Sequence, residues 1–289
     1  MSWVTINMDK CTNCGLCVKR CALCFRKVGD EILVDANAET CNICGHCIAL
    51  CPADALVHEK MNMDNFVAID PDLNIDKDTF VDFVRARRSH RAFHERRIPR
   101  EDLEMLIDLC RYCPTGSNRQ TLEIIVIENE EKIARLSNLT VDYFEQAIDK
   151  IENAVKEYVD QGKDIPEDSE YHHARLGFLR MLVMARGMGW DVILHKAPAV
   201  MVFHSPVLTS TPKDDCVIAA HTVALTARTM GLETCYIGLL AGASKTYQPI
   251  REELALPNGH EVGSVLVLGY PTMKFLRTVD RFPMRVRWE

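Results

Sequence analysis

The chain has 289 residues, of which 47% are hydrophobic and 26% are charged. This is the length of about two ordinary domains, with enough apolar side chains for buried cores, and it excludes a disordered or fibrous protein. The 34 Lys and Arg residues against 41 Asp and Glu residues give a net charge of −7. That charge would repel a phosphate backbone, so nucleic acid is not expected as a partner.

The hydrophobic and cysteine patterns predict the compartment. No apolar run approaches the roughly 20 residues of a membrane span, and the start MSWVTINMDK lacks the apolar core of a signal peptide. We therefore expect no membrane span and a cytoplasmic location. Thirteen cysteines are many for that compartment, where dense sets of thiols bind metal more often than they form disulfides. Nine of the thirteen fall in the first 51 residues, which indicates a separate N-terminal domain.

This cysteine-rich head contains an internal repeat. CTNCGLCVKRC at 11–21 and CNICGHCIALCP at 41–52 both read C-x2-C-x2-C-x3-C. Three thiolates at this spacing can surround one corner of a cubane iron–sulfur cluster, with Gly15 and Gly45 easing the tight turn, while the fourth reaches the other cluster. The spacing predicts two 4Fe-4S clusters, one held by Cys11, Cys14, Cys17 and Cys51 and the other by Cys41, Cys44, Cys47 and Cys21. Zinc is the alternative, and it is disfavoured because the run supplies eight thiolates at the cluster spacing.

These residues resemble a bacterial ferredoxin with two four-iron, four-sulfur clusters, and the resemblance covers about residues 1–60. The sequence departs from that family after Cys21, where Ala22 stands in place of proline. Cys24 is an additional thiol nearby. A small buried side chain is the favoured interpretation of Cys24, although it could replace Cys21 as a ligand.

The composition changes twice after the head. Residues 61–79 contain five aspartates, one lysine and Pro71, and we interpret 61–77 as an acidic linker before a second domain at 78–289. Residues 85–100 then contain seven arginines and one glutamate. So many arginines exceed what a solvated helix face requires, so some of them are expected to bind an anion.

The second domain mixes helical and strand patterns. Apolar spacing predicts helices around 80–84 and 103–110 and across most of 130–195, with strands at 122–127, 199–204, 234–238 and 264–270. A further helix is expected to be capped by Asp214 or Asp215 and to end at Gly231. Met181, Met184 and Met188, with Trp190 nearby, are expected to lie in the core, and the alternative is that they shape a substrate pocket. The order of these elements leaves the topology open.

Five segments of the second domain, in this order, resemble the FMN-dependent nitroreductase family across about residues 78–289. They are RRSHRAF at 87–93, PTGSNRQ at 114–120, GLETCYIG at 231–238, LGYP at 268–271 and a basic C-terminal tail. The resemblance implies an α+β sandwich that forms a homodimer, with one flavin in each of two interface clefts. The whole chain is then an α+β nitroreductase-like sandwich with an N-terminal ferredoxin-like domain.

The resemblance also implies a flavin site, residue by residue. Arg87, Ser89 and Arg91 match the family's phosphate-binding residues, and arginine suits a dianion because it supplies both charge and directional donors. The other matched positions are the partner-reaching loop residues Pro114, Thr115, Gly116 and Asn118, the strand-end residues Tyr236, Ile237 and Gly238, and the tail residues Lys274 and Arg277. Gly238 matches the glycine whose N–H points at flavin N5, and Ile237 replaces a glutamate frequent in the family. Which of Lys274 and Arg277 contacts the phosphate stays open, and no catalytic residue is assigned.

Together the two halves predict an FMN-dependent oxidoreductase. An external low-potential donor, such as a ferredoxin, is expected to pass electrons through the clusters to FMN, which reduces a small organic acceptor, nitroaromatic or quinone-like by resemblance. Two alternatives stay open. One is a flavin reductase fed by NAD(P)H, with the clusters as store or outlet, and the other is a non-enzymatic electron carrier.

Overall fold

A computed structural model describes residues 2–164 and 174–289. The chain divides into two compact units, which we call unit 1 (Met1–Asp76 with Ser117–Arg119) and unit 2 (Lys77–Gly116 with Gln120–Glu289). Every helix in the described ranges is too short or too polar to span a membrane.

Unit 1 has two similar halves that follow the sequence repeat. The first half contains β1 (Val4–Ile6), α1 (Leu16–Arg20) and β2 (Phe25–Val28), and the second contains β3 (Glu31–Val34), α2 (His46–Ala49) and β4 (Leu56–His58). Strand β1 pairs antiparallel with β4, and β2 pairs antiparallel with β3, so each sheet takes one strand from each half. The core of unit 1 combines apolar side chains such as Val4, Phe25 and Ile48 with cysteines of both motifs.

The two cysteine loops have the same backbone conformation. Asn13 and Ile43 have φ values of 56° and 55°, and Gly15 and Gly45 have values of 72° and 71°. Each glycine directly precedes a helix, α1 or α2, so the chain turns sharply between the second and third cysteines of each motif. The left-handed conformation favours glycine because a side chain would be strained there, which confirms the turns predicted from the two glycines.

Unit 2 is a mixed helix-and-sheet fold, as the sequence predicts. Its helices and strands, in chain order, are α3 (Lys77–Ala86), α4 (Arg100–Leu109), β5 (Glu123–Ile127), α5 (Glu130–Asp160), α6 (Leu176–Gly187), β6 (Ala199–Pro206), α7 (Pro212–Thr229), β7 (Glu233–Tyr236), α8 (Gly238–Ala243), α9 (Gln248–Glu253) and β8 (His260–Gly269). The four strands form one sheet in the order β5-β6-β8-β7. Every neighbouring pair in this sheet is antiparallel.

Helices cover both faces of this sheet. Successive side chains of a strand point to opposite faces, and in β6 Val200 and Val202 join a core built with α5, α6, α8 and α9, while Met201 and Phe203 join a second core built with α4 and α7. All residues of β6 from 199 to 205 are buried. The continuous apolar run of this strand therefore reflects a sheet that is buried on both sides.

Two local expectations need correction. Helix α7 begins at Pro212 with Thr211 at its N-cap, so Asp214 and Asp215 lie inside its first turn and do not cap it. Its end is confirmed, because Gly231 has a φ of 75° just after the last helical residue.

The expected core position of the methionines is wrong. Met181, Met184, Met188 and Trp190 are between 40% and 63% exposed. Helix α6 instead buries Leu176, Leu179 and Leu182. Both rows recur at helical spacing, and only the packing of α6 against the rest of unit 2 decides which row is covered.

Candidate functional site

Two cavities in unit 1 are each lined by cysteines from both copies of the repeat. Cys11, Cys14, Cys17 and Cys51 line the first cavity. Cys41, Cys44 and Cys21 line the second, together with Cys24, and Cys47 borders both. Each cavity thus combines cysteines of one motif with the last cysteine of the other motif. Several thiols converging on one cavity are the donor set that an iron–sulfur cluster requires, so these residues fit such a group.

The environment of these thiols disfavours their ionisation without a cation. Burial raises the pKa of Cys47 to about 11, and the neighbouring Cys44 and Cys41 add to the rise. Burial also raises the pKa of Cys17. A thiolate there is stable only if a positive charge compensates for lost hydration, which a bound metal supplies.

Cys24 differs from the motif cysteines in its partner. It is 3% exposed, burial raises its pKa to about 12, and its thiol donates to the carbonyl oxygen of Thr40 at 3.2 Å. This agrees with its interpretation as a small buried side chain. Its thiol nevertheless faces the cavity that Cys21 lines.

In unit 2, the arginine-rich segment after α3 lies along the end of the sheet. The His90 N–H donates to the Thr234 carbonyl at 3.0 Å, and the His94 N–H donates to the Tyr270 carbonyl at 2.9 Å. Phe93 forms a bridge with Pro271. These backbone contacts fix Arg87, Ser89 and Arg91 beside β7 and the end of β8.

Inside this segment, three arginines of the described chain lack the carboxylate partners that Arg85 and Arg100 have at its two ends. Within the described ranges, Arg87, Arg88 and Arg91 form no ion pair, and the Arg88 Nε is buried without a hydrogen-bond acceptor. Nearby Arg228 is different, because its Nε donates to Glu233 Oε1 at 3.0 Å. Arg87 and Arg88 are partly buried, and Arg91 is exposed. Partly buried guanidinium groups without an ion pair favour an external anion, so this segment fits the phosphate of a flavin nucleotide, with Arg91 as a further exposed cation. Arg88 was not assigned to the site from the sequence.

Tyr236, a predicted site residue at the end of β7, lies within the electrostatic influence of Arg87. Burial raises the pKa of Tyr236 to about 12, while the positive charge of Arg87 acts in the opposite direction. The Tyr236 hydroxyl lies 3.3 Å from His221 Nδ1 of α7. Arg87 and Tyr236 are thus brought together, although they are far apart in sequence.

Gly238 follows β7 directly and begins α8. Its φ is not in the left-handed region, and a Cβ added there would meet no atom within 4 Å. Neither the backbone nor the packing of unit 2 therefore requires glycine at this position. The open space beside its backbone fits the close approach of a flat ring system, which a side chain would obstruct.

The C-terminal tail contacts this region through Phe275, whose ring meets the His90 ring edge-on at 4.8 Å between centroids. Lys274, the neighbour of Phe275, is therefore brought towards the arginine segment. Arg277 is exposed two residues beyond.

The remaining predicted residues are held elsewhere. The Gly116 N–H donates to Asp215 Oδ1 at 3.0 Å, and the Thr115 hydroxyl accepts from the Gln120 N–H at 3.1 Å. Pro114 precedes this turn. Asn118 belongs to unit 1, where its Nδ2 donates to the carbonyls of Asn42 and Ile43 at 2.9 Å and 3.0 Å. Gly116 is thus held against α7 within unit 2, and Asn118 is held within unit 1.

Asp215 is the residue that sequence reasoning missed. It is 2% exposed, and its Oδ1 accepts from both the Gly116 N–H and the Thr211 hydroxyl at 2.8 Å. A Cβ at Gly116 would clash with the hydroxyls of Ser210 and Thr211, so the loop must approach α7 through a glycine. The acidic pair after Pro212 is the local signal for this role, although its position also fits a helix cap.

Replacing Asp215 tests this role. We expect Asp215→Ala to lower the free energy of unfolding by about 1–3 kcal/mol, because two donors lose a buried charged acceptor. Asp215→Asn should cost less, since it retains one oxygen acceptor. The matched control is Asp214→Ala, which removes an exposed carboxylate from the same turn and should change stability by less than about 0.5 kcal/mol. Urea unfolding followed by circular dichroism measures the three values, and equal losses for Asp214→Ala and Asp215→Ala would contradict the assignment.

Known proteins are similar to two parts of the chain separately. A ferredoxin of Methanothermococcus thermolithotrophicus is 39% identical over 56 residues, which is 18% of this chain and 92% of the ferredoxin. A protein of Archaeoglobus fulgidus named "Putative NADH dehydrogenase/NAD(P)H nitroreductase" is 24% identical over 213 residues, which is 71% of this chain and 95% of that protein.

The fold of the larger part also has solved counterparts. A crystal structure of a nitroreductase with bound FMN from Bacteroides fragilis matches with a TM-score of 0.54 at 19% identity, and the match covers 74% of this chain and 100% of that one. The family model of the nitroreductase family matches residues 84–270, most of unit 2. The chain therefore belongs to the nitroreductase family and has a ferredoxin-like segment at its N-terminus.

Proposed function

We propose that the chain is an FMN-dependent oxidoreductase that takes electrons from an external low-potential donor protein, such as a ferredoxin, through two 4Fe-4S clusters in its head. Its acceptor would be a small organic molecule of nitroaromatic or quinone-like character. One observation supports this most strongly: a cysteine-lined ferredoxin-like unit and a nitroreductase fold with unpaired arginines occur in one chain. Bound FMN would supply the exchange between single electrons and a hydride equivalent.

In the head, eight cysteines would hold the clusters in two crossed sets. The first set is Cys11, Cys14, Cys17 and Cys51, and the second is Cys41, Cys44, Cys47 and Cys21. The shared cavities and the equal φ values of the two loops support this pairing. The domain limits that we propose are 1–60 for the head, 61–77 for the linker and 78–289 for the flavin domain.

In the flavin domain, Arg87, Ser89 and Arg91 would bind the ribityl phosphate. Their support is that neither arginine forms an ion pair in the described part of the chain, whereas Glu233 pairs with Arg228. The buried and unpartnered Nε of Arg88 is a further donor in the same segment. Guanidinium groups suit this task because they remain charged and donate in fixed directions.

The remaining residues would orient the ring system. Gly238 leaves its backbone accessible, and Tyr236 and Ile237 end the strand that positions it, where the Ile237 N–H donates to the Val265 carbonyl at 2.9 Å. Lys274 or Arg277 would add a cation from the tail. Pro114, Thr115, Gly116 and Asn118 would serve the flavin of a second copy, so the active form would be a homodimer.

A second candidate is an NAD(P)H-fed flavin reductase in which the clusters act as store or outlet. The observation in its favour is the name of the Archaeoglobus relative, which describes that protein as an NADH dehydrogenase or NAD(P)H nitroreductase. The two candidates differ only in where electrons enter, so the electron donor decides between them.

The cluster content is the first test. Protein purified without oxygen should contain about eight irons and eight sulfides per chain, as two cubanes require. Cys14→Ser should lower the iron content and leave FMN bound, because the flavin residues are assigned to unit 2. Cys24→Ser is the control and should keep the full iron content. Zinc without sulfide in the wild-type protein would contradict the proposal.

The flavin phosphate is the second test. Arg87→Ala or Arg91→Ala should weaken FMN binding roughly ten- to a hundredfold, since each removes a charge-assisted hydrogen bond of about 1.5–3 kcal/mol. Arg85→Ala is the matched control from the same basic run, because Arg85 is exposed and lies 3.6 Å from Asp82. Fluorescence titration of the apoprotein with FMN gives the dissociation constants. Equal affinities for all four proteins would show that the arginines bind something else.

The entry point of electrons is the third test. A full-length variant with both Cys14→Ser and Cys44→Ser should lose turnover driven by reduced ferredoxin but still reduce a nitroaromatic compound after reduction with dithionite. Cys24→Ser should behave like the wild type in both assays. If the double variant turns over normally with ferredoxin, the clusters are not the entry point. If NADPH drives both proteins equally, the second candidate is the better account, and failure with every small acceptor would favour a non-enzymatic carrier.

A further inference from the structure

Three side chains of types that bind metal meet on neighbouring strands of unit 2, and none of them belongs to the sites above. They are Glu123 on β5, His204 on β6 and His260 on β8. Glu123 and His204 are direct cross-strand partners. The register between β6 and β8 shifts at Phe203 and His204. Such an irregularity changes the direction in which nearby side chains point. Here it occurs at His204, whose ring contacts the ring of His260.

The distances between these side chains are short. His204 Nδ1 lies 2.9 Å from His260 Nδ1, and His204 Nε2 lies 3.9 Å from Glu123 Oε2. One ligand atom from each of the three residues lies within 4.8 Å of the other two. The two contacts use different ring nitrogens of His204, and one ion would bind only one of them. Ligand atoms at about 2.0–2.2 Å from one tetrahedral zinc ion are roughly 3.4 Å apart, so side-chain movements that shorten the longest of these separations would complete the site.

The three residues differ in their exposure to solvent. It is 2% exposed and lies on a central strand, whereas Glu123 is exposed and His260 is half-buried. Solvent therefore reaches the group from the Glu123 side and can supply a fourth ligand. The guanidinium of Arg251 donates to the carbonyl oxygens of His260 at 3.1 Å and Ser244 at 3.3 Å, which fixes the backbone that supports the His260 ring.

We propose that Glu123, His204 and His260 form a binding site for a divalent transition-metal ion of the zinc type. Two imidazoles and one carboxylate with a position open to water are a common ligand set for zinc, and the set contains no thiolate, unlike the cysteine cavities of unit 1. The ion would link β5, β6 and β8.

The test uses the full-length protein with its cofactors, dialysed against buffered free zinc and analysed for bound metal. The wild type should bind one zinc ion per chain at this site. The zinc affinity of Glu123→Gln and of His260→Gln should be at least roughly tenfold lower. Both substitutions lie outside the fully buried core, so folding should survive. Glu261→Gln is the matched control, since it removes an exposed carboxylate of β8 outside the group. Any zinc bound by cysteines contributes equally to all four proteins and cancels from the comparison.

Two further readouts separate this site from the proposed function. The wild type should bind zinc that Glu123→Gln does not bind. The difference between the X-ray absorption spectra of the two proteins should show nitrogen and oxygen ligands of this zinc and no sulfur. Zinc should also raise the unfolding temperature of the wild type and the control but not of the two variants, because it binds only the folded sheet. FMN content should be equal in all four proteins. Equal zinc binding by the wild type and both variants, or no zinc bound by the wild type, would overturn the proposal and leave the histidine contact as an ordinary N–H···N hydrogen bond.

Discussion

Helices cover both faces of the sheet of unit 2, and the positions of its arginine segment, of Gly238 and of the histidine group follow from this constraint. A strand covered on both sides has no free face for a ligand, so functional groups collect where strands end. The arginine segment lies against Thr234 and Tyr270, and Gly238 begins α8 directly after β7. At the junction of β5, β6 and β8, Glu123, His204 and His260 meet. These candidate groups of unit 2 therefore lie at the ends of strands and not on the faces of the sheet.

Each unit also contains a cluster of side chains of one type, thiols in unit 1 and guanidinium groups in unit 2, that would be stabilised by an ion of opposite charge. In unit 1, burial and neighbouring thiols raise the pKa of Cys47, so ionised thiols need a cation among them. In unit 2, Arg87, Arg88 and Arg91 form no ion pair among the described residues, and the buried Nε of Arg88 has no acceptor, so this segment favours an anion. Because uncompensated charge in a partly buried place is costly, both arrangements are typical of sites for charged cofactors. The same reasoning explains why Arg228, which has Glu233 beside it, is not such a site.

Asp215 shows how loop position depends on one buried group. Its carboxylate joins the Gly116 backbone to the first turn of α7, and the glycine is needed because any side chain would strike Ser210 or Thr211. The same residue type one position earlier, Asp214, is exposed. The difference between structural anchor and surface charge therefore depends on helix phase, which places one aspartate against the loop and the other in solvent.

The amino-acid sequence by itself determined the cysteine repeat, the glycine turns, most of the helices and strands and the arginine-rich segment, because these are local patterns of spacing and composition. It also supported the family assignment through short motifs. The tertiary structure alone decided the antiparallel order of the sheet, the exposure of Met181 and Met184, and the roles of Asp215 and Arg88. It alone brought together Glu123, His204 and His260. Periodicity specifies which residues share a face, but only packing between distant segments determines what that face meets.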